Sequence, residues 1–206
     1  MFSDVKGRIG RGAEMLRSGD LQEAEVIFSG ILQQQPGDPA ANCGMGQVLM
    51  ARGQLLPAGD FFQRALVGAP DHAQANFGLA ESLRMQGSHA EAVEHYEKAL
   101  AGMPDDPRVY NHFGTTCMEL GRFARAREMF ERALVLQPDL AYAHNNLGLL
   151  LGAHGEIDAA RAHFDEALRY APDLYDAYFH RALFRKFTAV DADIEDMEAR
   201  IADPAV

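Results

Sequence analysis

Residues 107–140 read PRVYNHFGTTCMELGRFARAREMFERALVLQPDL, and the spacing of their apolar residues decides the fold. Tyr110, Phe113, Gly114, Cys117 and Leu120 fall at steps of three and one. Phe123, Ala126, Phe130, Ala133 and Leu134 follow at steps of three, four, three and one, with Arg127 left on the polar side. Such steps lay one apolar stripe along each of two helices, and each stripe must face the other or a neighbour. Gly121 stands between the two helices, where chains commonly leave a helix through a left-handed residue, and Pro138 closes the stretch.

The same design recurs every 34 residues. Gly121 has counterparts at Gly19, Gly53, Gly87 and Gly155, and Ala126 at Ala24, Ala58, Ala92 and Ala160. Around Phe130 fall Phe28, Phe62, Tyr96 and Phe164, and around Pro138 fall Pro36, Pro70, Pro104 and Pro172. Gly114 belongs with Gly12, Gly46, Ala80 and Gly148. The chain therefore divides into five tandem units, 5–38, 39–72, 73–106, 107–140 and 141–174. Small residues at 114 and 126 imply helices that cross closely, where an added side chain would cost ~1–3 kcal/mol. Truncating a buried aromatic such as Phe130 to Ala would cost ~3–5 kcal/mol. Asp38 and Asp106 precede Pro39 and Pro107, the pattern of an N-cap followed by a first-turn proline. Ser88 and Glu91 have the spacing of a capping box.

These positions resemble tetratricopeptide repeats over residues 5–174: a small residue in the first helix, Gly between helices, Ala then an aromatic in the second, and a closing Pro. The resemblance implies an all-α, right-handed superhelical solenoid of helix-turn-helix repeats, with first helices lining a concave groove and second helices outside. The family's frequent early tryptophan is absent; Arg8, Asn42, Asn76, Tyr110 and His144 take its place. By the same resemblance the second, fifth, ninth and twelfth residues of each first helix face the groove. The predicted docking patch is Phe77, Arg84, Arg108, Asn111, Met118, Tyr142, Asn145 and Leu149. Asn amides can donate to and accept from an extended backbone, Arg can fork onto a carboxylate, and aromatic and Met side chains supply anchors. Against this stands a plainer reading, in which both Asn residues bind only water or nearby backbone and Arg84 pairs with Glu81. Asn145 and Asn146 lack the basic companions of the family's carboxylate-clamp members, so that specificity is not carried over.

After Pro172 a sixth first helix is expected as a cap over 175–187, carrying Arg181 and Arg185 where inner units bury apolar residues. Residues 188–206 hold six acids against Arg200, and Val190, Ile194, Met197 and Ile201 predict a short amphipathic helix at 191–202. Its acids Glu195, Asp196 and Glu198 are expected near Arg181, Arg185 and Lys186, with its apolar side over the open end. The stretch RALFRKFTAVDADIEDMEARIADPAV resembles the junction between repeats and catalytic domain in bacterial repeat-containing sulfotransferases.

The totals narrow the function classes. Of 206 residues 48% are hydrophobic and 24% charged, no run approaches the ~18 apolar residues of a membrane span, and no secretory signal opens the chain. A cytoplasmic bacterial protein is the expectation. The net charge of −11 repels a phosphate backbone, so no nucleic-acid partner is expected. Cys43 and Cys117 lie two units apart, and at ~8–10 Å per packed helix they exceed the ~7 Å reach of a disulfide. They also lack the companions of a zinc site. The eight histidines form no H-E-x-x-H, and Asp191, Asp193 and Glu195 begin a calcium-like alternation that Asp196 breaks where glycine is required. No phosphate loop or nucleophile elbow is present. The sequence thus points to a scaffold without metal, cofactor or catalytic residue, binding a peptide segment or partner helix in its groove. Two alternatives remain. One is the substrate-presenting repeat region of a sulfotransferase or related transferase. The other is a self-assembling scaffold with weak contacts through its C-terminal end, using Phe184 and Phe187.

Overall fold

The computed structural model describes residues 2–184. Among them are α1 (Phe2–Ser18), α2 (Leu21–Leu32), α3 (Pro39–Ala51), α4 (Leu55–Gly68), α5 (Ala73–Met85), α6 (His89–Gly102), α7 (Pro107–Glu119), α8 (Phe123–Leu136), α9 (Ala141–Ala153), α10 (Ile157–Tyr170) and α11 (Tyr175–Leu183), and no strand. They form two compact units, residues 2–120 with α1–α7 and residues 121–184 with α8–α11.

Local chemistry sets where the helices begin and end. Gly19, Gly53, Gly87, Gly121 and Gly155 all have φ between +70° and +85°. No atom lies within 4 Å of where a Cβ would stand at any of them, so the demand for glycine is one of backbone conformation alone. Asp38 accepts from the Ala41 N–H at 2.8 Å with Pro39 in the first turn, and Asp106 accepts from the Arg108 N–H at 3.0 Å. Asp20 and His72 cap α2 and α5 in the same manner. The capping box expected at Ser88 does not form: Ser88 occupies the N-cap of α6, but its hydroxyl makes no capping bond.

Within residues 2–120 the first helices α1, α3 and α5 each pack on their own second helix and on the next first helix, as α3 does on α4 and α5. The second helices α2 and α4 share no close backbone approach, which leaves a furrow between them floored by α3. Aromatics of the second helices lock successive first helices together. A Cβ on Gly12 or Gly44 would stand 2.7 or 2.3 Å from Phe28, and one on Gly46 or Gly78 would stand 2.7 or 2.3 Å from Phe62. Each ring is therefore clasped between two glycines of consecutive repeats, and this is why the small residue recurs. Cys43 and Cys117 are buried and form no disulfide, and burial pushes the Cys43 thiol up to about 12.

Within residues 121–184, α9 packs on α8, α10 and α11. Phe164 lies against Gly148, and Phe184 stacks on Phe164 at 6.2 Å. Phe184, expected as a self-assembly contact, is thus spent on its own core, where it also covers Gly152. Arg181 pairs with Asp165 on α10 at 2.9 Å and sits 5.3 Å over the Tyr178 ring. Glu195, Asp196 and Glu198, expected near Arg181, lie outside the described residues. Residues 185–187, Phe187 among them, and the helix expected at 191–202 lie outside the described residues.

Candidate functional site

Four of the five residues in the tryptophan's place, all but Arg8, share one task. Asn42 donates through Nδ2 to the carbonyl of Pro36 at 2.9 Å, Asn76 to that of Pro70 at 2.9 Å, and Tyr110 through its hydroxyl to that of Pro104 at 3.1 Å. His144 donates through Nε2–H to Pro138 at 3.0 Å. Each ties a first helix to the proline that ends the repeat before it, satisfying a carbonyl that the turn leaves open.

In residues 2–120 the predicted groove residues surround a polar cluster. Glu81, only 13% exposed, accepts from the Tyr96 hydroxyl, from His112 Nδ1–H at 3.0 Å and from Arg84 Nη2 at 3.2 Å. Arg84 reaches on to Glu119 at 3.5 Å, and His89 Nδ1 lies 3.0 Å from the other Glu119 oxygen. Burial alone would raise the Glu81 carboxyl, but the hydrogen bonds and charge of His112, with Tyr96 and Arg84, bring it down to about 2. Burial, then Glu81, pushes the Tyr96 phenol up. Phe77 is buried, with His112 at 5.6 Å and Tyr96 at 6.3 Å between ring centres. Arg84 therefore pairs with Glu81, the partner in the plainer reading, and also with Glu119. Arg108 grips the capping Asp106 through Nε at 3.0 Å and Nη2 at 2.6 Å. Asn111 is buried and Met118 half-buried.

In residues 121–184 the same rows are mostly apolar. Tyr142 on α9 is 60% exposed, and Phe179 and Leu183 on the adjoining α11 are 60% and 59% exposed. Leu149 is half-buried. Asn145 is buried, and its Oδ1 accepts from His180 Nδ1–H at 2.9 Å. His163 Nδ1–H donates to His144 Nδ1 at 3.0 Å, the tautomer following from the bond of His144 to Pro138. Burial lowers the pKa of His163 and His180, and of His95 in the first unit.

Helical periodicity alone did not find the Glu81 cluster. It gives a side chain's direction but not its partner in another repeat, and Glu81 meets His112 on the next first helix. Phe179 and Leu183 did carry a signal, since α11 is the last helix of the repeat pattern and keeps large apolar residues in groove rows. Among the described residues no three His, Cys, Asp or Glu side chains group as a metal ion requires, and no helix is long and apolar enough to cross a membrane.

Comparisons with known proteins agree with this architecture. The fold is similar to MamA from Desulfovibrio magneticus RS-1, with a TM-score of 0.70 at 22% identity over 82% of this chain and 96% of that one. It is also similar to PilF of Pseudomonas aeruginosa, with a TM-score of 0.72 at 18% identity over 95% and 97%. YrrB, described as a TPR protein with an unusual peptide-binding site, aligns with a TM-score of 0.69 at 19% identity over 85% and 90%. No curated protein matches the chain by sequence. Models of the tetratricopeptide repeat match residues 37–105, 83–150 and 141–174, together more than half of the chain. The turn glycines, clasped aromatics and proline ties keep the register of those matches, and the chain belongs to the tetratricopeptide repeat family.

Proposed function

We propose that the chain is a non-catalytic scaffold that binds another protein, taking a peptide segment or partner helix on the face of its first helices. The observation that carries this reading is the exposure of Tyr142, Phe179 and Leu183 on adjoining helices, in rows that the family resemblance assigns to the groove. Exposed large apolar groups side by side mark interaction surfaces, and aromatic anchors dominate binding energy. Leu149, half-buried, belongs to the same rows. Phe77, Arg84, Arg108, Asn111 and Met118 shape the corresponding wall in residues 2–120, where Arg84 and Arg108 are held by their own carboxylates. The titratable groups of the Glu81 cluster support a non-catalytic role. A carboxyl near 2 and a phenol raised above its usual range are both far from the neutral pKa that general acid–base work favours.

The test is quantitative capture from a lysate of the source organism, comparing wild type with a Tyr142→Ser/Phe179→Ser variant. Both substitutions fall on exposed side chains, so the fold is retained. Partners held by the wild type and depleted at least about tenfold by the variant support the reading, since two hot-spot anchors exceed that loss. Equal recovery overturns it.

A further inference from the structure

The furrow between α2 and α4 lacks a donor that two other repeats supply. In the repeats 73–106 and 141–174 a histidine of the second helix, His95 or His163, donates to the residue that ties the first helix to the preceding proline. His95 Nδ1–H meets Asn76 Oδ1 at 2.9 Å, and His163 meets His144 at 3.0 Å. In the repeat 39–72 that place is Phe61, which has no proton to give. Both protons of the Asn42 amide are committed, to the carbonyls of Pro36 and Asp38 at 2.9 Å each. Its Oδ1 accepts from no described residue, although Asn42 is only 1% exposed. The oxygen is not sealed off, so a donor entering the furrow can reach it.

Asn42 lies in a furrow of about 320 Å³ walled by Leu32, Pro36, Met45 and Phe61, with Arg64 at its rim. The Arg64 guanidinium rests 4.9 Å over the Phe61 ring and makes no ion pair among the described residues. The furrow thus offers three things together: an apolar slot, an acceptor at its floor and an uncompensated cation beside it. A helix ~10 Å across would not enter a space of this volume, but an extended chain would.

We propose that this furrow, on the second-helix side of the molecule, docks an extended segment of another protein that presents an aliphatic side chain beside an acidic one. The aliphatic group fills the slot, an N–H of the segment donates to Asn42 Oδ1, and the carboxylate pairs with Arg64. Guanidinium suits the last role because its planar fork grips a carboxylate through two parallel bonds. The preference for an acidic side chain is local to this cation and acts against the chain's overall charge of −11.

The test is selection of a displayed library of random linear peptides against the full chain, with counter-selection against Phe61→His. That variant is built to fold, because histidine already stands in this place in two repeats. Its imidazole donates to Asn42 as His95 does to Asn76. The expected survivors carry an aliphatic–acidic pair. Their synthetic forms bind wild type at least about tenfold more tightly than they bind Phe61→His or Arg64→Glu, the loss expected for one charge-assisted bond. Exchanging the acid for Lys in those peptides restores binding to Arg64→Glu. Absence of that pair among the survivors overturns the proposal, as do peptides that bind Arg64→Glu as well as wild type.

Discussion

The first-helix rows of residues 2–120 and those of residues 121–184 solve the same packing problem with opposite chemistry. In the first unit Glu81, Arg84, His112 and Glu119 satisfy one another, and Phe77 is sealed beneath them. In the second, Tyr142, Phe179 and Leu183 stand open, and the one Asn of the row is closed off by His180. A repeat template fixes where side chains lie but not whether they are spent internally. The polar row is satisfied within its unit, whereas the apolar row stays exposed.

The strongest way to break this contrast is Glu81→Gln. Removing the charge leaves Arg84 and His112 facing a neutral amide, and losing one member of a largely buried ionic cluster costs ~3–5 kcal/mol. Urea denaturation should show a large drop in midpoint, and hydrogen exchange should assign it to residues 2–120. A loss under about 1 kcal/mol would mean that the cluster is decorative and that the two units do not differ in this respect.

Acid should separate the units by the same logic. Glu81 is held at about 2 against an ordinary 4.5, so its stabilising contribution is complete above 4.5 and is lost as pH falls from there toward 2. That loss belongs to the first unit. His95, His163 and His180 are lowered below 6.5, so the unfolded chain takes up protons first and stability already declines as pH drops below 6.5. Two of these three histidines lie in the second unit. Exchange measured across pH should therefore find residues 121–184 loosening more in mild acid and residues 2–120 losing the most below 4.5. The reverse order would refute the assignment.

A smaller effect sharpens the contrast by testing what both units share. Gly78→Ala puts a methyl 2.3 Å from the Phe62 ring, and Gly148→Ala puts one 2.7 Å from the Phe164 ring and 3.1 Å from the Ala160 carbonyl. Each should cost ~1–3 kcal/mol by overpacking, read as matched shifts in thermal midpoint. Matched losses would confine the difference between the units to the groove rows. A loss in one unit alone would show that the scaffold itself differs.

What the sequence made legible follows from the range of the forces involved. Turn glycines and closing prolines answer local backbone demands, and the glycine–aromatic clasp needs only neighbours one repeat away, so a fixed period reveals them. Asp38 and Asp106 are caps for equally local reasons. Side chains that pair across repeats are not periodic, and there the reading of the predicted patch was incomplete. Arg84, open in the sequence to either a ligand carboxylate or Glu81, is held by Glu81 and also by Glu119; Asn145, open to either a ligand or its surroundings, accepts from His180. Phe184 looked like a sticky end and stacks on Phe164. Ser88 shows the limit of even a local motif, since its spacing to Glu91 is right and the bond is not made.

The smallest expected change concerns α11. At the fifth place of their first helices Cys43, Phe77, Asn111 and Asn145 are all buried, while Phe179 at the same place is 60% exposed. In the inner repeats that position contributes to the core, so Phe77→Ser should cost ~3–5 kcal/mol, as other truncations of buried aromatics do. Phe179→Ser removes almost no buried area and should move stability by less than about 0.5 kcal/mol. The same substitution should still depress partner binding, because anchors that fill a partner's pocket contribute only in the complex. A chemical-denaturation curve for the pair of variants decides between the two roles. If Phe179→Ser proved as damaging as Phe77→Ser, the residue would be core, and the open apolar row of the second unit would lose its strongest member.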